Sequence, residues 1–241
     1  MENSRHIRVL TIRFDEDISA REIPLFRGAV INSMHGNANL LFHNHIGDSK
    51  LRYGYPKVQY KRLGGKASIV CVEEGADIIG QFLSEAGGKL MLGEREIRCE
   101  INNIKPSRIL VQTWEHMFEY NLVRWLPLNS KNYQEYKTIE SLSGRISFLE
   151  DKLKGNLLSM LKGFKIHLED ELKVVFTQIS EPYLVHNKGV RLMAFNVDFK
   201  TNLSIPNNLG IGKNASIGFG IVTQIRKEKE KQTDNTESKD K

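Results

Sequence analysis

Between Ile7 and Phe14 (IRVLTIRF) apolar and polar positions alternate weakly among β-formers, which predicts a first strand ended by Asp15-Glu16-Asp17. Ser19-Ala20-Arg21-Glu22 reads as a capping box. In it the Ser19 hydroxyl accepts the Glu22 amide, the Glu22 carboxylate reaches back, and Ile18 and Ile23 sit at staple positions. A helix is therefore predicted from Ala20 to about Met34, burying Ile23, Phe26, Val30 and Met34. Tyr55 to Leu63 reads as a strand, Gly64-Gly65 as a hairpin turn and Ala67 to Val72 as the returning strand. Glu73 to Ala86 carries Ile78, Ile79, Phe82 and Leu83 on one face, a second helix closed by Gly87-Gly88. Lys89 to Leu92 and Arg95 to Ile104 are strand-like. The order β-α-β-β-α-β is the ferredoxin-like pattern.

Asn102-Asn103 and Pro106 interrupt the pattern and predict a module boundary near residue 106. A second block opens with the aromatic run Ile109 to Leu128, then a helical region from Asn129-Ser130-Lys131-Asn132. Within it Ile139, Leu142, Ile146, Leu149, Leu153, Leu157 and Leu161 recur every three or four residues, so residues 138–162 form an amphipathic helix whose stripe is core rather than a partner surface. Phe164 to Ile179 reads as strands, Leu184 to His186 and Val190 to Phe199 as a hairpin about Asn187-Lys188-Gly189, and Ile221 to Ile225 as a last strand. From Arg226 onward charged and polar residues carry no apolar content, and a disordered tail over residues 227–241 is expected. The second block, residues 107–226, thus reads as roughly another helix-and-strand unit of similar length to the first, residues 1–106, with no sequence repeat between them.

Charge changes this picture at one place. From His43 to Lys66 six Lys or Arg face the single acid Asp48, a local surplus of five in a chain whose net charge is +6. The surplus sits beside the close histidine pair His43 and His45, which suits a protein acting on a polyanion, nucleic acid before membrane. No apolar run reaches the ~18 residues a membrane span requires, and no membrane partner is expected. The N-terminus has no apolar signal core and Cys71 and Cys99 are isolated, so a reducing cytoplasm is expected.

Two imidazoles near neutral pKa can supply a general base and a general acid. On RNA the base would take the proton from a ribose 2′-OH, and the oxygen would attack the adjacent phosphorus. The acid would protonate the departing 5′-oxygen while Lys50, Arg52 or Lys57 offsets charge on the phosphorane. Tyr53 and Tyr55 could hydrogen-bond or stack a base. The plain alternative is a pair of loop histidines making surface hydrogen bonds. The letters His43-Asn44-His45 are no argument for the metal nucleases named after those residues, whose residues are dispersed over a ββα-metal motif. A zinc reading through His35, His43 and His45 lacks a cysteine or a close carboxylate beyond Asp48, so no metal and no cofactor are expected. Gly210-Ile211-Gly212-Lys213-Asn214-Ala215 looks like a dinucleotide fingerprint but lacks a following βαβ unit, and Lys213 precedes Asn214 rather than the Ser or Thr of a Walker loop. Its glycines would let backbone amides approach a phosphate with Lys213 adding charge; the alternative is a tight turn.

Taken with the histidine stretch, the segment Gly210-Ile211-Gly212-Lys213-Asn214-Ala215-Ser216-Ile217-Gly218-Phe219-Gly220 resembles the C-terminal glycine-rich loop of the CRISPR-associated RAMP superfamily. Asn129 to Tyr136 (NSKNYQEY) and the run from His43 through Tyr55-Pro56-Lys57-Val58-Gln59-Tyr60-Lys61 resemble its endoribonucleases that cut repeat transcripts (pre-crRNA) into guide RNAs, in the type I-B variant. The resemblance implies an α+β fold of two ferredoxin-like (RRM-like) modules, residues 1–106 and 107–226, each a mainly antiparallel sheet with helices on one face. It also implies metal-independent cutting that leaves 2′,3′-cyclic phosphate and 5′-hydroxyl ends. It assigns catalysis to His43 and His45, with Tyr53, Tyr55 or Lys50 in the supporting role. It assigns RNA binding to Lys50, Arg52, Tyr55, Lys57, Lys61, Arg62, Gly210, Gly212, Lys213, Gly218 and Gly220. The implied partners are CRISPR repeat RNA and crRNA, with other Cas effector subunits and a homodimer open. A non-cleaving, guide-holding RAMP subunit is the alternative from another class, and a metal-dependent nuclease the third.

Overall fold

The computed structural model describes residues 3–33, 45–46, 50–51, 54–85, 88–187 and 189–226. The first half runs β1 (Arg5–Asp17), α1 (Ile23–Asn32), the short pair β2 (His45–Ile46) and β3 (Lys50–Leu51), β4 (Val58–Leu63), β5 (Lys66–Val72), α2 (Glu74–Glu85), the hairpin β6 (Lys89–Leu92) and β7 (Arg95–Arg98), and β8 (Ile101–Val111). The sheet order is β4-β5-β1-β8, every pair antiparallel. This is the order a ferredoxin-like unit gives, with the β6–β7 hairpin inserted before its last strand. Gly64 and Gly65 take φ of +58° and +89° between β4 and β5, the primed turn that suits the twist of two paired strands.

α1 starts at Ile23 rather than Ala20. The Glu22 carboxylate does reach back to the Ser19 amide at 2.7 Å. However, the Glu22 amide bonds the Ser19 carbonyl at 3.1 Å, so residues 19–22 close a turn and Pro24 opens the helix. The strand expected over Arg95–Ile104 is two strands: the Cys99 amide closes the β6–β7 hairpin onto the Gly88 carbonyl at 2.7 Å, and β8 begins afresh at Ile101. Pro106 does not interrupt β8 but pairs opposite Leu10, which an edge strand tolerates. The chain leaves the first sheet at Val111 and enters the second at Thr113.

The second half runs β9 (Thr113–Trp125), α3 (Ser130–Thr138), α4 (Leu142–Gly163), β10 (Val174–Ile179), β11 (Tyr183–Asn187), β12 (Val190–Leu203) and β13 (Ile221–Gln224). Its sheet order, β10-β12-β9-β13 with β11 on the first part of β12, repeats that of the first sheet. Where the first unit has a second helix, this one has the glycine-rich segment between β12 and β13. Asn129 caps α3 by accepting the Asn132 amide at 2.8 Å, and Ser141 caps α4 by accepting the Gly144 amide at 3.1 Å, so the predicted stripe divides at Ile139–Glu140. Leu149, Leu153, Leu157 and Leu161 of that stripe are core, whereas Leu142 at the helix start is exposed.

The two cores interlock. Ile7, Val9, Val70 and Val72 of the first sheet join the cluster of Trp125, Leu161, Phe164 and Phe199. Leu126, Ala194, Ile217 and Phe219 of the second half join Phe14, Phe26, Ile69 and Phe82. The result is an α+β fold of two ferredoxin-like units in tandem.

Candidate functional site

The two units meet along β4. Tyr60 donates its amide to the Ser216 carbonyl at 2.8 Å and bridges Ile217 in parallel. The Gln59 side chain accepts the Gly210 amide at 2.8 Å, and the Tyr55 hydroxyl donates to the Gly210 carbonyl at 3.0 Å. The glycine-rich segment is thus docked on the edge of the first sheet through one parallel bridge and two side-chain bonds. A Cβ on Gly210 would overlap Ala215, and one on Gly220, at φ +60°, would overlap the Ile211 carbonyl. Those two glycines are therefore required by the close backbone approach itself.

Where this seam reaches the end of α4 it opens into a cleft of about 480 Å³ lined by Gly54, Tyr55, Asn156, Ser159, Lys162 and Gly212 among others. Gly163 lets Tyr55 seat against the helix, and the Tyr55 ring meets Phe164 edge-on at 5.1 Å. Gly54 and Tyr55, the described residues that follow Tyr53 in sequence, line the cleft. A larger groove of about 1090 Å³ lies by Ile217 and Phe219, between Arg21 and Pro24 on one side and Tyr183 to Asn187 on the other. The smaller cleft is the better candidate for chemistry, because three elements converge there: the Tyr55 segment, α4 and the glycine-rich segment.

His43, Tyr53 and Arg52 lie outside the described residues, as does His35 of the zinc reading. His45 and Lys50 are described in backbone only: His45 pairs opposite Leu51 and Ile46 opposite Lys50 in a minimal antiparallel hairpin, β2–β3. The expected RNA-contacting residues separate into two groups. Lys213 is exposed and Gly212 lies at the cleft. The others face inward or are engaged. Lys61 is fully buried with Nζ 3.4 Å from the Ala215 carbonyl, and loss of hydration pushes its ammonium down to about 7. Burial raises the Tyr55 hydroxyl well above the ordinary phenol range, so it serves as a neutral donor that anchors the loop. Gly210, Gly218 and Gly220 are buried packing positions. Lys57 bonds the Gly163 carbonyl at 3.4 Å, pairs with Glu74 at 3.5 Å and lies over the Phe164 ring. Arg62 donates Nε to the Ile18 carbonyl at 2.6 Å, and Lys66 pairs with Asp15 and Asp17. Lys57 and Lys61 thus brace the seam between the units, whereas Arg62 and Lys66 are engaged within the first unit.

The cleft gains polar residues that the sequence pattern did not single out. Asn156, Ser159 and Lys162 come from the polar side of α4, the helix read only for its apolar stripe. Their spacing of three residues beside that stripe was the available signal. Among the described residues, no three His, Cys, Asp or Glu side chains converge as a metal ion would need.

Two ferredoxin-like sheets in tandem, with a glycine-rich segment replacing the last helix and docked on the first sheet's edge, define a protein of the RAMP superfamily. The sequence model of the Cas6b N-terminal domain matches residues 5–109, and that of the Cas6b C-terminal domain matches residues 112–225. The chain belongs to the Cas6b family and is a Cas6-type CRISPR endoribonuclease. A crystal structure of Cas6b superposes with a TM-score of 0.83 at 26% identity, covering 92% of this chain and 100% of that one. A crystal structure of the CRISPR RNA processing endoribonuclease Cas6b superposes at 0.71 and 24% identity over the same shares, 92% and 100%, a likeness of fold. The uncharacterized protein MJ0978 of Methanocaldococcus jannaschii is 39% identical over 112 residues, 46% of this chain and 75% of that protein.

Proposed function

We propose that this protein cuts CRISPR repeat RNA in the cleft between the Tyr55 segment, α4 and the glycine-rich segment. The observation that carries the reading is the match of both Cas6b domain models, which together span residues 5–109 and 112–225. His43 and His45 divide the roles of base and acid. One removes the 2′-OH proton, O2′ bonds the phosphorus, the P–O5′ bond breaks, and the other histidine protonates O5′. The ends are a 2′,3′-cyclic phosphate and a 5′-hydroxyl, so no metal-activated water is required. Tyr53, adjacent to the cleft-lining Gly54, supports the reacting phosphate, with Tyr55 reassigned to anchoring the loop. Lys162 and Lys213 supply the positive charge that meets the RNA backbone, and Lys50 and Arg52 add to it. Other Cas effector subunits and a second copy of the chain are further partners of the same reading, and the cytoplasm is its setting. No described helix is long and apolar enough to cross a membrane.

The test uses pure protein, a labelled repeat RNA and EDTA. Cutting to cyclic-phosphate ends, lost when the scissile 2′-OH is replaced by hydrogen, is the expected result. No product would leave the guide-holding subunit as the better reading, and EDTA-sensitive cutting would point to a metal.

A further inference from the structure

Asn156 lies in α4 at the floor of the cleft, half-buried, and its Oδ1 accepts the Trp125 indole N–H at 2.9 Å. Trp125 itself is fully buried and held in the second core. An indole nitrogen can only donate, so the amide atom that faces it must be the oxygen. That fixes the orientation of the whole amide and turns its two N–H donors away from the indole. Among the described residues the Asn156 amide nitrogen has no partner. Nor is it among the buried polar atoms left without one, as it would be if the cleft were closed over it.

The glycine-rich segment is shaped around this pair. A Cβ at Gly212 would come within 2.7 Å of the Asn156 oxygen and 3.1 Å of the Trp125 nitrogen. Gly212 also takes φ +86°, a backbone state that L side chains rarely adopt. Of the loop glycines, Gly212 is the one whose absent side chain makes room for a polar pair instead of for backbone or a core side chain. A donor fixed in direction by a rigid core residue, beside a loop kept bare and lining the reaction cleft, is preorganised for an acceptor that arrives with the substrate.

We infer that Asn156 is a substrate-contacting residue whose Nδ2 donates to a backbone phosphoryl oxygen of the RNA bound in the cleft, with Trp125 as the positioning residue that aims it. This rests on the proposed RNA-cutting role of the same cleft. Lys162, nearly two helical turns further on and also lining the cleft, would meet the same strand.

Two substitutions separate the donor from the structural bond. Asn156→Asp keeps an oxygen to accept the Trp125 N–H and replaces the donors by an anion. Asn156→Leu keeps the shape and adds no charge, but loses both donor and acceptor. RNA affinity and single-turnover cutting in EDTA are measured for both, at a temperature where thermal melts show each variant folded. A matching loss in the two variants, on the order of ten- to hundred-fold as for a hydrogen bond to a charged group, is the expected result. A loss in Asn156→Leu alone would reduce the residue to a support for Trp125. A loss in Asn156→Asp alone would reduce the effect to charge repulsion, and wild-type behaviour in both would remove the contact altogether. Each of these three outcomes overturns the inference. Failure of the wild-type protein to cut would instead overturn the cleavage reading on which it rests.

Discussion

Lys61 shows how one residue can mean different things in sequence and in space. It reads as part of a basic stretch, yet it is fully buried with one long bond to the Ala215 carbonyl, and burial pushes its ammonium down to about 7. In the unfolded chain the same group titrates near 10.4. Above pH 7 the unfolded state therefore holds a proton that the native state has released, and stability from this group rises with pH. Between pH 7 and about 8.5 the gain is on the order of 2 kcal/mol. Higher up, Cys71 and Cys99 work the other way: burial pushes both thiols up to about 12, so the native state keeps protons that the unfolded state loses. Lys61→Met should be more stable than the wild type at pH 7, and the difference should shrink as pH rises to 8.5. Urea melts at both pH values check it, and a constant difference would show that Lys61 does not titrate there. At the histidines, His43→Ala and His45→Ala should each slow single-turnover cutting by about 10²–10⁴-fold with RNA affinity little changed. Wild-type rates in both would leave the pair a surface feature. Histidine chemistry does not depend on the fold, so the pair could be proposed from the sequence alone. Which cations face solvent was not legible, because the seam that buries Lys61 and engages Lys57 joins residues more than 100 positions apart.

At the scale of elements, the glycine-rich segment lacks side chains where two backbones must touch. Gly220→Ala would place a Cβ against the Ile211 carbonyl at a φ of +60°, with no flexible side chain able to yield. A loss on the order of 3 kcal/mol is expected, from strain and displaced backbone together. Gly155→Ala, inside α4 with open space around it, should instead gain about 0.5–1 kcal/mol, because only helix propensity changes there. Chemical denaturation of the two variants side by side tests the contrast, and a tolerated Gly220→Ala would mean the two ends of the glycine-rich segment can move apart. The elements themselves were legible where a period repeats, as in α2, the β4–β5 hairpin and the Leu149–Leu161 stripe. Errors fall where a local sign misleads. A capping box at Ser19 closes a turn because Pro24 starts the helix, and Pro106 reads as a break although an edge strand has room for it. The polar side of α4 was passed over because an apolar stripe shows what a helix packs against, whereas the identity of its opposite side depends on which loop comes to rest there.

For the whole molecule, the question is whether two units that look separate in sequence are separate in energy. Each sheet has the strand order of a complete ferredoxin-like unit, and the two family models meet between residues 109 and 112. Yet each core contains buried side chains from the other half: Ile7, Val9, Val70 and Val72 pack among Trp125, Leu161 and Phe164, while Ile217 and Phe219 pack with Phe26 and Ile69. Parting the units would expose these side chains to water at about 1.5–3 kcal/mol for each one fully uncovered. It would also strand the seam's backbone groups: the Tyr60 amide and Ser216 carbonyl, which satisfy each other across it, and the Gly210 amide and carbonyl, which bond the side chains of Gln59 and Tyr55. Summed over these side chains, coupling of that size rivals the roughly 5–15 kcal/mol by which a domain is ordinarily stable. Neither half should then survive the other's unfolding, and the chain should melt as one unit. Calorimetry should give a single transition whose calorimetric and van't Hoff enthalpies agree. Ile217→Ala, which opens a cavity on the first unit's core from a residue of the second, should move that transition as a whole by several degrees without splitting it. Two resolved transitions, or a shift confined to one of them, would mean that the seam is a docking contact between independent domains. In that case the cleft would owe its geometry to the RNA that fills it rather than to the fold.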